Sequence, residues 1–486
     1  MLRITLPLPK DIAPAPTTSR VAIIGGGFTG ASLARLLAVN GQYGPDDIIV
    51  FEPRAGLGAG LAYDTDDPSL RLNVAAHRMR AVPGDPQAFV QWLSGSGRFD
   101  LDPDAVADGG IYARRADFAA FMAEQIQPFL DRGSVRHVRE RAERICRRHG
   151  RWQIEGNGGA AVQADIVVIA TGHPPPTPPD VLSYHLGCDA RFIPDPLRSG
   201  ALRPIGQDDK VLVVGAGLTA LDAVGALHAQ GHRSEVTLLS RTGQLPQPQA
   251  SGDFAPHGDF LIGLPNTALS LLERVRFALE EVTEAGLPWQ SVFDALRHQG
   301  QTIWQALPLV EQRRILRHLR RRFEAHRFRM SPQIAELVER ERAAGRLRSR
   351  AGRIVAVRPG HAEIAVDIAT KPHGIVVRHA AQWIIAATGP DHGNVIGRQS
   401  CLADLKGSGL LRKDPRGLGI ACDQDSRAVA RDGYPVEDLF IAGPLARGAF
   451  GELTGVPEIA AQAERIVQKI LAMRFATTRT ITIRSL

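Results

Sequence analysis

Val21-Ala-Ile-Ile-Gly-Gly-Gly-Phe-Thr-Gly30 joins four apolar residues to the run Gly25-Gly26-Gly27-Phe28-Thr29-Gly30. The apolar part reads as a buried strand, the glycines as a tight turn, and the residues after them as a helix. Each glycine has a separate task. Gly25 permits the sharp bend, Gly27 lets the backbone come close to a pyrophosphate, and Gly30 lets the helix pack near the strand. Phe28 and Thr29 begin that helix, whose free N–H groups and positive dipole end suit phosphate. The pattern recurs: Val211–Val214 runs into Gly215-Ala216-Gly217-Leu218-Thr219-Ala220, with Ala220 in the third small position. One such turn can occur without a ligand. Two in series predict a chain that holds two dinucleotides face to face, the usual pair being a flavin and a nicotinamide.

The strands after the two turns separate the sites. Ile48-Ile-Val-Phe51 ends at Glu52. A carboxylate there accepts hydrogen bonds from ribose hydroxyls and repels a 2′-phosphate, which suits the adenosine ribose of FAD. Val236-Thr-Leu-Leu239 ends instead at Ser240-Arg241. A hydroxyl and a guanidinium suit a 2′-phosphate, which favours NADPH over NADH, although an arginine can also stack on adenine.

The remaining punctuation gives a split layout. Ala164–Ile169 is a strand ending at Ala170-Thr171-Gly172, and Trp383–Ala386 is one ending at Ala387-Thr388-Gly389. Small residues at both crossovers let backbone pass near bound nucleotide, so Thr171, Gly172, Thr388 and Gly389 join the candidate cofactor contacts. The expected fold class is α/β, with two Rossmann-like dinucleotide-binding domains and a helical insertion. A leader covers 1–20, the FAD domain 21–200 and 391–486, and the NAD(P)H domain 201–390, with the insertion at about 267–345. Val135–Cys146 and Arg151–Glu155 read as a small connecting sheet, and Pro246–Pro265 as a long loop that could cover the cleft between the nucleotides.

Composition narrows the class. The chain has 486 residues, 44% hydrophobic and 22% charged, as in an ordinary globular protein with room for two or three domains. Its apolar runs are strand-length, so no membrane span is expected. The four cysteines, Cys146, Cys188, Cys401 and Cys422, are scattered. That suggests a reducing cytoplasm, no metal site, and none of the dithiol chemistry that needs a paired redox cysteine. Much of the net charge of +7 lies in Arg313–Arg329. Three readings fit: a solvated helix, a site for an anionic substrate or the NADPH phosphate, or a nucleic-acid surface. No nucleic-acid module accompanies the run, so no nucleic-acid partner is expected.

By these motifs the chain resembles the two-dinucleotide flavoproteins, in particular the flavin-containing and N-hydroxylating monooxygenases. It looks most similar to the bacterial YdhS-like FAD/NAD(P)-binding family. Besides the first turn, the resemblance is carried by Gly58–Tyr63, Leu72-Asn73-Val74, Pro86–Leu93, His326–Arg329, Gly443-Pro444 and Val456-Pro-Glu-Ile459. It covers nearly the whole chain. Gly443-Pro444 stands where many relatives have Gly-Asp, so the ribityl or pyrophosphate contact of that Asp is open. The resemblance implies an FAD-dependent monooxygenase that consumes NAD(P)H and O2 and hydroxylates a small organic molecule through a C4a-(hydro)peroxyflavin. A purine such as urate is one candidate, because flavin-dependent urate hydroxylase looks like a family member. The alternatives are an NAD(P)H:acceptor reductase and a flavin-binding regulator with little turnover. Asn73 is placed like the Asn that sits near flavin N5 in flavin-containing monooxygenases, or it is a turn residue. The helix starting near Val456, with Pro457 in its first turn, is expected to aim its positive end at the flavin N1–C2=O edge. His257, Arg327, Arg329 and Glu452 are the candidate substrate contacts. For His257 the alternative is a surface residue, and for Glu452 a capping role.

Overall fold

The computed structural model describes residues 19–41, 43–252 and 254–483, with side chains described as far as Met473. The expected leader lies outside the described residues apart from Ser19 and Arg20. Two parallel sheets organise the rest. In the first, the strands lie in the order Val135–Val138, Ile48–Phe51, Val21–Ile24, Ile166–Ile169 and Pro435–Ile441, with Arg427–Val429 antiparallel at the edge. Numbered along the chain, the parallel strands run 3-2-1-4-5, the doubly wound order. In the second, Leu347–Pro359, Val236–Ser240, Val211–Val214, Trp383–Ala386 and Phe192–Ile193 are parallel. Leu347–Pro359 then continues past the sheet and pairs antiparallel with Ile364–Thr370, which pairs with Val376–Ala381.

The apolar runs become central strands because both faces of each sheet are covered. Alternate residues serve opposite sides. Ala22, Ile24, Ile49, Phe51, Val167 and Ile169 enter one core, while Val21, Ile23, Ile48, Val50, Ile166 and Val168 enter the other. The second sheet divides likewise, Leu212, Val214 and Leu239 on one side and Val211, Val213 and Leu238 on the other.

Three expectations need correction. Val135–Val138 is an edge strand of the first parallel sheet, and the small antiparallel sheet consists of Ala142–Arg148, Arg151–Gly156 and Ala161–Ala164. The boundary at 200 falls too late, because Phe192–Ile193 already pairs with Ile384–Ile385 of the second sheet. The arginine-rich stretch is not one helix. It divides into Leu309–His318 and Arg320–Arg327 and leaves helical geometry at Phe328.

The insertion has a core of its own, built from Val282, Val292, Phe293, Leu296 and Ile303 together with Phe260 from the preceding loop. It docks back onto the first domain, where Trp304 Nε1 donates to Gly448 O at 2.8 Å. The domains are also joined by Arg115, whose Nη2 donates to both oxygens of Asp222 at 2.9 and 2.8 Å. The two linkers run together: Thr177 Oγ1 donates to Asp391 Oδ2 at 2.8 Å, and Thr388 Oγ1 donates to Thr177 O at 3.0 Å. Among the described residues no helix is long and apolar enough to cross a membrane.

Candidate functional site

Both glycine turns lie where the strand order reverses, at the carboxyl ends of the first strand of each parallel sheet to enter its centre, Val21–Ile24 and Val211–Val214. That crevice is where doubly wound sheets bind ligands. The turns touch their neighbours in the same way. A Cβ at Gly25, whose φ is +104°, would lie 2.5 Å from Ala170 O, and one at Gly215, φ +137°, 2.1 Å from Ala387 O. Each glycine therefore faces the start of an Ala-Thr-Gly crossover across the switch point. A Cβ at Gly30 would fall 1.9 Å from Gly25 O, so the third glycine does set the close helix–strand approach.

The helices Phe28–Val39 and Leu218–Ala229 both start on an extended glycine, Gly27 or Gly217, with no side-chain cap. Their first N–H groups are left for a ligand. At Gly217 nothing lies within 4 Å of where a Cβ would stand. Thr171 Oγ1 is buried without a hydrogen-bond partner. An open cradle and an orphaned hydroxyl beside a glycine turn fit a dinucleotide at each switch point.

Several predicted contacts are already engaged. Glu52 is buried, and its Oε2 accepts from Gly26 N at 2.9 Å. Its Oε1 accepts from Arg54 N and Arg54 Nη1, both at 3.1 Å. The carboxylate is thus fixed against the first turn, and Arg54 is a neighbour that the sequence did not single out. Phe28 turns its ring into the core against Phe118, so only its backbone is placed to meet a cofactor. Gly443 and Pro444 are buried. The N–H of Gly443 donates to Gln462 Oε1 at 2.7 Å, and its Cα packs on Thr29. This pair supports the first helix and offers no free donor. Val456 is likewise buried at the start of the last helix. Ser240 Oγ accepts from Gly243 N at 2.9 Å and closes a turn, while Arg241 is exposed with no ion pair among the described residues. Gly172 and Gly389 take φ of +73° and +81° and turn the chain into the paired linkers. There the rings of His173 and His392 meet edge to face at 5.1 Å.

Asn73, Arg327 and Arg329, far apart in sequence, line one cavity of about 130 Å³. Arg78, Tyr112, Gln249, Phe254 and Arg297 complete its working surface. Asn73 Nδ2 donates to Arg329 O at 3.4 Å, and Gln249 Nε2 donates to Asn73 O at 2.8 Å. The loop after Pro246 lines this cavity through Gln249 and Phe254. His257 turns away from it, with Nε2 lying 3.3 Å from Glu281 Oε2. The structure therefore does not bring His257 to the site. Glu452 does not present a free carboxylate to substrate: it pairs with Arg327 Nη2 at 3.1 Å.

Arg313, Arg314, Arg317, Arg321 and Arg322 form a solvated face, as one reading of the run expected, but the last two arginines do not. Arg327 and Arg329 are only 6% and 4% exposed. Burial pushes both guanidinium pKa values down, opposed by Glu452 and Asp294 respectively. Asp294 accepts from Arg329 Nη2 and, at 2.9 Å, from Arg78 Nη1. Arg297 Nη2 donates to Glu458 Oε2, near the N-terminus of the last helix, at 3.1 Å. Burial pushes the Tyr112 phenol up, with Arg78 opposing, so it is a proton donor at neutral pH. Arg78, Asp294 and Arg297 were missed because a lone charge in a helix or loop carries no periodic signal. Only Arg78, five residues after Asn73, lay near a motif.

Residues 22–174 match a family model described as FAD-NAD(P)-binding. No curated protein sequence matches the chain. Among solved structures, the ornithine N-hydroxylase of Kutzneria sp. 744 is 17% identical with a TM-score of 0.62, covering 94% of this chain and 100% of that one. The L-lysine 6-monooxygenase of Pseudomonas syringae is 18% identical with a TM-score of 0.62, covering 93% and 98%. The bacillithiol disulfide reductase of Bacillus cereus is 15% identical with a TM-score of 0.54, covering 94% and 99%. The chain thus shares the fold of these enzymes over nearly its whole length, and its residues 22–174 match the FAD-NAD(P)-binding family model.

Proposed function

We propose that this chain is an FAD-dependent, NAD(P)H-consuming oxidoreductase, and specifically a monooxygenase that uses O2 to hydroxylate a small organic molecule. The observation that carries the proposal is the placement of Asn73. It lines a cavity where Arg327 is held by Glu452, in the turn before the last helix, and Arg297 by Glu458 in that helix's first turn, on the same domain that carries the FAD-type turn. Bound FAD would supply the redox chemistry, accepting a hydride from the nicotinamide and activating oxygen. The protein's part is to hold both nucleotides and exclude water. The first turn, Glu52 and Thr171 would hold FAD. The second turn, Ser240 and Arg241 would hold the nicotinamide nucleotide, with Arg241 selecting NADPH. Asn73 would position the flavin's reactive edge.

The neighbours support this class. Two of those named are monooxygenases of ornithine and lysine, and one of these structures carries reduced FAD, NADP+ and ornithine. A disulfide reductase shares the fold, but the cysteines here do not suit that chemistry. All four are unpaired and none lines the cavity. Burial pushes the thiols of Cys401 and Cys422 well up, Cys401 to about 11, which makes both poor nucleophiles. The comparisons lend no support to a purine such as urate.

The test is to release and identify the flavin of the purified protein, then screen small metabolites for stimulated NAD(P)H oxidation matched by O2 uptake. Little peroxide release is expected with a true substrate. A colourless protein, or turnover that needs an acceptor and ignores oxygen, would overturn the reading.

A further inference from the structure

Among the described residues, the cavity beside Asn73 has more guanidinium groups on its wall than buried carboxylates to pair them. Four arginines line it: Arg78, Arg297, Arg327 and Arg329. Arg297 has Glu458 and Arg327 has Glu452. Arg78 and Arg329 share the single carboxylate of Asp294. Asp108, also on the wall, is exposed at the rim, where water screens it. Among the described residues, the wall therefore carries one guanidinium more than it has buried carboxylates.

The hydrogen bonds tell the same story. Arg329 Nε and Nη1 and Arg327 Nε are buried with no partner. Guanidinium N–H groups sealed from water and left unpaired are costly, and native proteins rarely keep them without a use. Their residues line a cavity that Asn73, Gln249 and Tyr112 share. Phe254, with Arg78 5.8 Å from its ring centre, adds an apolar wall.

We infer that this cavity is the substrate site and that it takes a small organic anion, such as a carboxylate, on Arg329 and Arg78. Calling that anion the substrate rests on the redox function proposed above; the anion site itself does not. A phosphate of the nicotinamide nucleotide shares this chemistry, but no residue of 211–241, the second dinucleotide unit, lines the cavity. The structure thus favours a substrate anion.

The experiment is calorimetric titration of the FAD-loaded protein with benzoate and with its neutral isostere benzamide, each alone and with saturating NADP+. Benzoate should bind at least about tenfold more tightly than benzamide, and NADP+ should not displace it. Arg329→Gln and Arg78→Gln should each weaken benzoate by about tenfold or more at unchanged flavin content. Asp294→Asn should strengthen it, because that substitution removes the competing carboxylate. If Arg329→Gln does not fold, Arg78→Gln, whose side chain is 32% exposed, and Asp294→Asn decide the matter. Equal binding of benzoate and benzamide would overturn the inference. So would failure of both acetate and benzoate to bind below about 10 mM, or displacement of benzoate by NADP+. The two proposals fail separately. Anion selectivity without substrate-stimulated NAD(P)H oxidation by any carboxylate would leave the anion site and remove the monooxygenase. Coupled oxygen turnover without anion selectivity would do the reverse.

Discussion

Gly217→Ala isolates what the second turn does for its ligand. In most glycine turns a substitution damages the fold and the site together. Gly215 is such a case, with φ of +137° and a Cβ position 2.1 Å from Ala387 O. Gly217 is different. Its φ of −89° and ψ of −171° are open to any residue, and no atom lies within 4 Å of where its Cβ would stand. The free protein should therefore accept the methyl group and gain up to about 1 kcal/mol, because alanine restricts the unfolded chain. A pyrophosphate seated on the N-terminus of Leu218–Ala229 would meet that methyl directly. Losing one or two of its charged hydrogen bonds costs about 1.5–3 kcal/mol each, so NADPH should bind at least about tenfold more weakly. Thermal unfolding and fluorescence titration with NADPH, run on the same preparation, give both numbers. Wild-type NADPH affinity in a stable Gly217→Ala protein would refute the placement of the nucleotide.

Four further outcomes test the other sites. Gly27→Val should yield protein with little or no FAD, since a side chain there fills the start of Phe28–Val39 and its Cβ already meets Gly60 Cα at 3.1 Å; full flavin content in that variant would remove the first site. Arg241→Ala should weaken NADPH more than NADH by about 1–3 kcal/mol, as the exposed guanidinium is otherwise unengaged, whereas equal losses would assign it to adenine stacking. Asn73→Ala gives up only a 3.4 Å bond to Arg329 O, so it should fold and bind FAD while NAD(P)H oxidation yields hydrogen peroxide in place of product; unchanged coupling would leave Asn73 a turn residue. Burial, with Arg447 adding repulsion, pushes His173 down to about 4, and burial with help from His173 and Arg447 takes His392 to about 3. Both bind protons more readily when unfolded, so stability should fall as pH drops from about 6.5 towards about 4, by roughly 2 kcal/mol per histidine between pH 7 and 5; urea unfolding of His392→Asn should show a clearly shallower slope, and an identical slope would discount the pair.

The doubly wound sheets were legible because their strands are covered on both faces. Val21–Ile24 and Val211–Val214 are apolar at every position, and each runs straight into a glycine whose backbone no other residue can adopt in that space. Val135–Val138 was misplaced for the opposite reason. It is an edge strand with only its end residues buried, so Arg136 and His137 hide its membership of a parallel sheet. Phe192–Ile193 is two residues long, too short to give any pattern. The cofactor turns could be read from spacing alone because backbone geometry makes them. Their supporting contacts could not, since Gln462 beneath Gly443 and Arg54 on Glu52 depend on which elements fold back onto the turn.

The cavity shows the limit most clearly. A run of arginines has the same sequence whether it is solvated, binds phosphate or is buried. What separates these cases is how many carboxylates come within reach, and those arrive from elsewhere in the chain. Glu452 reaches Arg327 from the turn before the last helix, Asp294 reaches Arg329 from an earlier helix, and Glu458 reaches Arg297 from the last. Arg78 enters from the first domain and takes a share of Asp294 that would otherwise neutralise Arg329. Among the described residues, three buried carboxylates for four guanidinium groups is thus a property of the assembled fold, created only when the helical insertion docks on the first domain. A site made that way exists only while the insertion is docked. Substitutions that loosen the docking, such as Trp304→Ala, which removes the bond to Gly448 O, should release anion binding and leave the two glycine turns intact.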